Sequence, residues 1–130
     1  MSKEQILLVE DDELLSHMYC EKLTREGFSV HTEGNGKEAA NWLNTHTPKL
    51  VVLDILLPGM NGLSLIKAIR RHDHLQKTQI VILTNLTEAD VHVAGELRSS
   101  LNIAAYYVKA QISPSELVKN LKALLKPHTK

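Results

Sequence analysis

The chain has 130 residues, enough for one domain with a sizeable core. Apolar residues make up 43% and charged residues 23%, an ordinary globular composition, and 15 basic residues balance 15 acidic ones, which argues against nucleic acid or an anionic membrane as a bulk partner. The single cysteine, Cys20, excludes an internal disulfide and any thiolate metal cluster; no apolar stretch reaches membrane-spanning length and no signal-peptide pattern opens the chain, so the expectation is a cytoplasmic protein.

In chain order, Ile6-Leu7-Leu8-Val9 reads as a buried strand and ends in Glu10-Asp11-Asp12. Leu14, Leu15, Met18, Tyr19 and Leu23 then recur at helical spacing, with Gly27 as a natural stop. Cys20 falls in this helix as a semi-buried packing thiol with no basic neighbour to activate it. A short strand over 28–32 leads into the turn Gly34-Asn35-Gly36. A helix over 37–45 carries Ala39, Ala40, Trp42 and Leu43, with Trp42 as packing, and Pro48 breaks before the next strand. That strand, Lys49-Leu50-Val51-Val52-Leu53, closes on Asp54 and opens the turn Ile55-Leu56-Leu57-Pro58-Gly59-Met60-Asn61-Gly62.

A helix over 63–72 turns Leu65, Ile66 and Ile69 inward. Lys67, Arg70, Arg71, His72 and His74 gather at its end, as a solvated face that complements the helix dipole. His72 and His74 lack a third partner for a metal. A strand over 80–83 ends in Thr84-Asn85, a helix over 88–101 follows, and a strand over 104–108 ends in Lys109. Tyr106 and Tyr107 alternate across that strand, one toward the core and the other toward the surface. Ser113-Pro114-Ser115-Glu116 has the chemistry of a helix start, and Leu117, Leu121, Leu124 and Leu125 make its apolar stripe.

Strand and helix alternate five times, which predicts an α/β fold: a five-stranded, doubly wound parallel sheet with helices on both faces. One domain is expected over 1–126, with 127–130 a flexible tail or linker stub.

Parallel strands would bring acid, acid, hydroxyl and amine to the edge where open α/β sheets bind ligands. Carboxylates held together repel one another and call for a cation. Mg²⁺ takes one or two carboxylates plus waters, and Glu10, Asp11 and Asp54 offer them. Asp12 reads instead as the cap of the first helix. With the metal present, a carboxylate oxygen of Asp54 is a nucleophile for phosphorus. Phosphoryl transfer is mostly positioning and charge neutralisation, which the Lys109 ammonium and the Thr84 hydroxyl can supply. Singly these are ordinary strand-end residues; the conjunction at four strand ends carries the reading.

Four stretches together resemble the receiver domain of two-component response regulators, over essentially the whole chain. They are Ile6-Leu7-Leu8-Val9-Glu10-Asp11-Asp12-Glu13, Asp54-Ile55-Leu56-Leu57-Pro58-Gly59-Met60-Asn61-Gly62, Leu83-Thr84 and Tyr106-Tyr107-Val108-Lys109. The resemblance implies a flavodoxin-like (βα)5 fold. It also implies that Glu10 and Asp11 are the acid pair that holds Mg²⁺ with Asp54, Asp11 being the more direct ligand, and that the Leu56 backbone carbonyl joins them. Asp54 is then the phosphoacceptor, Thr84 the switch hydroxyl, Lys109 the phosphate-binding lysine and Tyr106 the switch aromatic. The implied donor is the phosphohistidine of a histidine kinase or phosphotransfer protein. Thr84 would move toward the phosphate and Tyr106 into the space left behind. The surface of the fifth strand and the last two helices would then change its affinity for an output protein, a fused effector domain or a second copy of the domain.

The chain departs from the family pattern in places. Ala110 stands where the family has proline after the lysine, often in a cis peptide. A cis bond before a non-proline residue costs about 2.5–4 kcal/mol, so the bond is either trans with Lys109 re-aimed or held strained. Asn85 replaces a small residue, and would narrow access to the phosphate or donate to it. The stretch from Thr84 to Lys109 is long, with the extra residues expected around 99–102. Leu56 and Leu86 cannot orient an attacking water, which predicts slow self-dephosphorylation. Two other readings use the same residues: a phosphorylation-independent interaction module on the same fold, and a Mg²⁺-dependent phosphohydrolase. The second would want another acid two residues after Asp54, where Leu56 stands.

Overall fold

Each apolar run becomes a strand whose successive side chains are buried on opposite faces of one sheet. The computed structural model describes residues 3–85 and 101–125; Leu86, nearly all of the helix expected over 88–101 and the tail lie outside the described residues. The elements are β1 (Gln5–Val9), α1 (Glu13–Arg25), β2 (Ser29–Glu33), α2 (Gly36–Leu43), β3 (Leu50–Leu53), α3 (Gly62–Arg71), β4 (Gln79–Thr84), β5 (Ala105–Val108) and α4 (Pro114–Leu125), with short 3-10 turns at Asp73–Leu75 and Lys109–Gln111. The strand order is β2-β1-β3-β4-β5, all parallel. From β1 the chain winds first to one side and then, from β3 on, to the other. The reversal lies between β1 and β3, and a crevice opens there at the carboxyl ends of the strands.

One layer of core joins Leu7, Val9, Val51, Leu53, Ile80 and Ile82 of the sheet to residues of α2 and α3. The other joins Ile6, Leu8, Leu50, Val52, Val81 and Leu83 to residues of α1 and α4. The strict alternation explains why the interiors of β1, β3 and β4 are apolar without a break, since each face has a helical layer to bury, whereas the edge strand β2 is polar and partly exposed. Tyr106 packs into the first layer and Tyr107 into the second, so neither ring simply faces solvent.

Several local expectations shift. The stripe assigned to α1 is too wide: Tyr19 and Leu23 are buried, while Leu14 in the first turn is 71% exposed. Phe28 is not in β2, because its N–H bonds the Leu23 carbonyl at the end of α1 (3.2 Å). Helix α2 stops at Leu43, where His46 Nδ1 lies 2.8 Å from the Trp42 carbonyl and competes for the last turn. The His46 ring stacks on one face of Trp42 and the His31 ring on the other, with centroids 4.0 and 4.4 Å away.

The basic end of α3 is more than a solvated face. Arg70 donates from Nε to the Leu101 carbonyl (2.8 Å), from Nη1 to Leu75 (3.1 Å) and from Nη2 to Asn102 (3.1 Å). It thereby fastens α3 to the segment that enters β5. Asn102 has φ +55°, a left-handed conformation that asparagine tolerates.

Candidate functional site

Glu10 and Asp11 follow β1, Asp54 follows β3, Thr84 ends β4 and Lys109 follows β5, so neighbouring strands deliver them to one edge. Glu10 is buried, and its Oε2 accepts the Asp12 N–H at 3.0 Å. Asp12 caps α1 as expected, accepting the Leu15 N–H at 3.1 Å. Asp11 is exposed at the mouth.

Asp54 is placed by a folded-back turn. Its Oδ1 accepts the Leu56 N–H at 3.0 Å. The Gly62 N–H returns to the Ile55 carbonyl at 2.8 Å, and Asn61 Oδ1 caps α3 by accepting the Ser64 N–H at 2.9 Å. Gly62 lies so close to the Asp54 carbonyl that a Cβ there would collide with it. Gly36 plays the matching part at α2, tied to the Pro58 carbonyl at 3.0 Å and pressed against the Met60 carbonyl.

Lys109 reaches the site through an ordinary trans peptide, since no cis bond occurs among the described residues. Its Nζ lies 2.7 Å from Glu10 Oε1 and 2.7 Å from Asp54 Oδ2. The choice between a re-aimed lysine and a strained bond therefore falls away: trans backbone and full reach coexist. Asn85 Oδ1 accepts the Ala110 N–H at 3.0 Å, a partner that neither expectation for Asn85 included.

Glu10, Asp11 and Asp54 each present a carboxylate oxygen within 4.8 Å of the others. Burial pushes the Glu10 carboxyl above its ordinary range, and the Lys109 ammonium and Asp12 N–H offset this only in part. Burial alone would lower the Lys109 ammonium. Its hydrogen bonds to Asp54 and Glu10, with their charges, outweigh that and hold it above the ordinary lysine value. Three converging carboxylates, two of them sharing one lysine, suit a hard divalent cation with oxygen ligands.

Thr84 is fully buried, and its Oγ1 has no hydrogen-bond partner among the described residues. Leaving a buried hydroxyl unpaired costs about 1–3 kcal/mol, a cost that a bound oxyanion would relieve. Tyr106 lies on β5, half-buried against the α2–α3 layer. An open groove of about 470 Å³ runs from Glu10 and Asp11 past Ser16 to Glu33. Leu14 and Leu56 are the exposed large apolar side chains of the described residues, at 71% and 63%, and both stand on this edge. The helical spacing of Leu14 concealed its exposure; only its place in the first turn, level with the acids, could have hinted at it.

A family model for the response regulator receiver domain matches residues 6–122. The DNA-binding response regulator MtrA of Mycolicibacterium smegmatis is 36% identical over 124 residues, which is 95% of this chain and 51% of that protein. The phosphate regulon transcriptional regulatory protein PhoB of Escherichia coli K12 is 34% identical over 122 residues, 94% of this chain and 52% of that protein. The chain thus spans about half the length of these curated relatives. The crystal structure of response regulator TrrA from Thermotoga maritima, in complex with Mg²⁺-BeF, superposes with a TM-score of 0.77 at 31% identity, covering 94% of this chain and 99% of that one. Chemotaxis response regulator CheY4 of Vibrio cholerae gives a TM-score of 0.83 at 25% identity, covering 95% and 100%. Five parallel strands, an acidic crevice at their switch point and this run of relatives lead to one assignment: the chain belongs to the receiver domain family of two-component response regulators, which are phosphorylation-based signalling switches.

Proposed function

We propose that Asp54 accepts a phosphoryl group from a phosphohistidine of a sensor kinase or phosphotransfer protein, and that the added charge changes what this domain binds. One observation carries the reading: Asp54 has the buried Glu10 and the exposed Asp11 within 4.8 Å and the Lys109 ammonium at 2.7 Å. Glu10, Asp11 and Asp54, with the Leu56 backbone carbonyl, would hold Mg²⁺, which when bound neutralises phosphoryl oxygens. The likeness to TrrA, whose crystal structure holds Mg²⁺-BeF, supports this.

A carboxylate oxygen of Asp54 forms the bond to phosphorus as the phosphorus–nitrogen bond breaks, and the imidazole leaves with that electron pair and takes up a proton. Lys109 and Thr84 donate to the phosphoryl oxygens, which gives the Thr84 hydroxyl the partner it lacks. Tyr106, on the adjacent strand, follows the displacement of Thr84. Leu56 offers no side-chain group to orient water, so the phosphorylated state is long-lived. The reach of Lys109 weighs against a phosphorylation-independent module, since Ala110 does not keep the lysine from the site. The receiver unit covers 1–126, in the cytoplasm, and its output is a fused effector domain, a separate protein or a phosphorylation-dependent dimer. The names of MtrA and PhoB, DNA-binding and transcriptional regulators, favour a fused effector.

The test is intact mass after incubation with Mg²⁺ and a small acyl phosphate, comparing the native chain with Asp54→Asn. A single hydroxylamine-labile phosphoryl adduct, absent from the variant, is the expected result. No adduct from several donors, with Mg²⁺ binding demonstrated separately, would overturn the proposal.

A further inference from the structure

The parallel ladder between β4 and β5 ends at the pair Thr84 and Val108. Beyond it the chain turns at once into the 3-10 turn Lys109–Gln111, whose N-cap, Val108, has no side chain able to cap it. The first N–H groups of such a turn have no partner within it. The Asn85 side chain supplies one from the other strand: its Oδ1 accepts the Ala110 N–H at 3.0 Å. Lys109 is therefore bracketed. The residue before it is held in the ladder against Thr84, and the residue after it is held by Asn85, the next residue of the same strand end.

We propose that Asn85 is a positioning residue for Lys109, acting through the Ala110 amide to hold the lysine backbone where Nζ meets Glu10 and Asp54. The inference deepens the phosphoacceptor reading and rests on it for its kinetic consequence. Lysine is a point charge on a flexible stem, so its placement depends on where that stem is anchored. Anchoring the residues on both sides of Lys109 to the last residue of β4 and to Asn85 just beyond it leaves the stem a single origin. Residue 110 can thus be an ordinary trans-linked alanine, because its N–H serves as the handle. The same bond ties the position of Lys109 to the strand end that carries Thr84, so the two phosphoryl-binding groups share one support.

The first readout needs no phosphorylation. In ¹⁵N-labelled protein, hydrogen exchange of the Ala110 amide should accelerate in Asn85→Ala and remain protected in Asn85→Asp, which keeps an acceptor oxygen. The Lys109 ζ-ammonium resonance should be slowly exchanging in the native chain and broaden in Asn85→Ala. The second readout is phosphoryl uptake from a small acyl phosphate at saturating Mg²⁺. Misplacing a reacting group by about an ångström can cost on the order of a hundredfold, so Asn85→Ala should slow uptake roughly ten- to hundredfold. Ala110→Pro has no N–H for Asn85 to hold, so adding Asn85→Ala to that variant should cause no further loss.

An equal loss in both backgrounds would overturn the proposal in favour of a direct contact between Asn85 and the phosphoryl group. So would unchanged Ala110 exchange and an unchanged Lys109 signal in Asn85→Ala. If the native chain takes up no phosphoryl group, the phosphoacceptor reading fails, while the two resonances still decide whether Asn85 positions Lys109.

Discussion

Lys109 is one cation set against two buried carboxylates, an arrangement that is costly to break from one side. Removing one partner of such a cluster leaves uncompensated buried charge, worth about 3–5 kcal/mol. Lys109→Met is expected to destabilise the domain by about 3 kcal/mol in chelator-treated buffer, and added Mg²⁺ should recover part of the loss, because the metal can take over the neutralising part. Urea denaturation with and without Mg²⁺ checks both. Leu56 bears on the other end of the cycle. Its exposed side chain stands two residues after Asp54, where a polar group could orient water. Leu56→Asn, combined with Leu86→Glu, should shorten the life of the phosphorylated state, read by decay of the intact-mass adduct; an unchanged lifetime would refute that role. At this scale the sequence was informative for Asp54, Thr84 and Lys109, because an acid, hydroxyl or amine closing an apolar run can be read off a line of letters. It was silent on Asn85 and Ala110. Their bond joins residues 25 positions apart, and only the strand order brings them together.

The turn between β3 and α3 shows how an element aims a side chain. Asn61 caps the helix, Gly62 presses on the Asp54 carbonyl and Gly36 presses on the Met60 carbonyl, so the turn is clamped between two helix starts. A methyl group at residue 62 must push the backbone of Asp54. Gly62→Ala is therefore expected to cost about 1–3 kcal/mol by overpacking and to slow phosphoryl uptake as well. Asn61→Ala removes only the cap, for about 1 kcal/mol, and should leave uptake nearly unchanged. Thermal melts paired with uptake rates separate the two. The turn itself was legible from Pro58, Gly59 and Gly62, but the cap was not, because a helix expected from residue 63 leaves Asn61 inside the turn whereas the helix begins at Gly62. What the pattern missed were the short 3-10 turns and the end of α2. These are set by a few local bonds, such as His46 to the Trp42 carbonyl, that carry no periodicity.

Among the described residues the candidate site lies on one edge and the apolar surface inside two layers, with Leu14 and Leu56 as the exceptions beside the acids. On the proposed function, a protein donor would cover the exposed side chains around Asp54, whereas a small acyl phosphate would reach Asp54 without covering them. Leu14→Asp should therefore weaken transfer from a phosphohistidine protein while leaving uptake from the small donor unchanged, a difference that paired kinetics would expose. Metal binding should also stabilise the entire fold: Mg²⁺ at a hundredfold excess over Kd adds about 2.7 kcal/mol, and Asp11→Asn should remove most of it, as read by melting temperature against Mg²⁺ concentration. The architecture was readable because β1, β3 and β4 are apolar without interruption, the mark of strands covered on both faces. The Arg70 clamp was not, since nothing in a basic helix end says whether a guanidinium meets water or a distant carbonyl. The chain's one tryptophan lies flat between two imidazoles. Rings stacked on an indole set its emission, so the intrinsic fluorescence of this protein reports on the seam between β2 and α2 rather than on the acidic crevice. It should change in His31→Gln or His46→Gln, which makes that seam the first thing to rule out when the light is used to follow anything else.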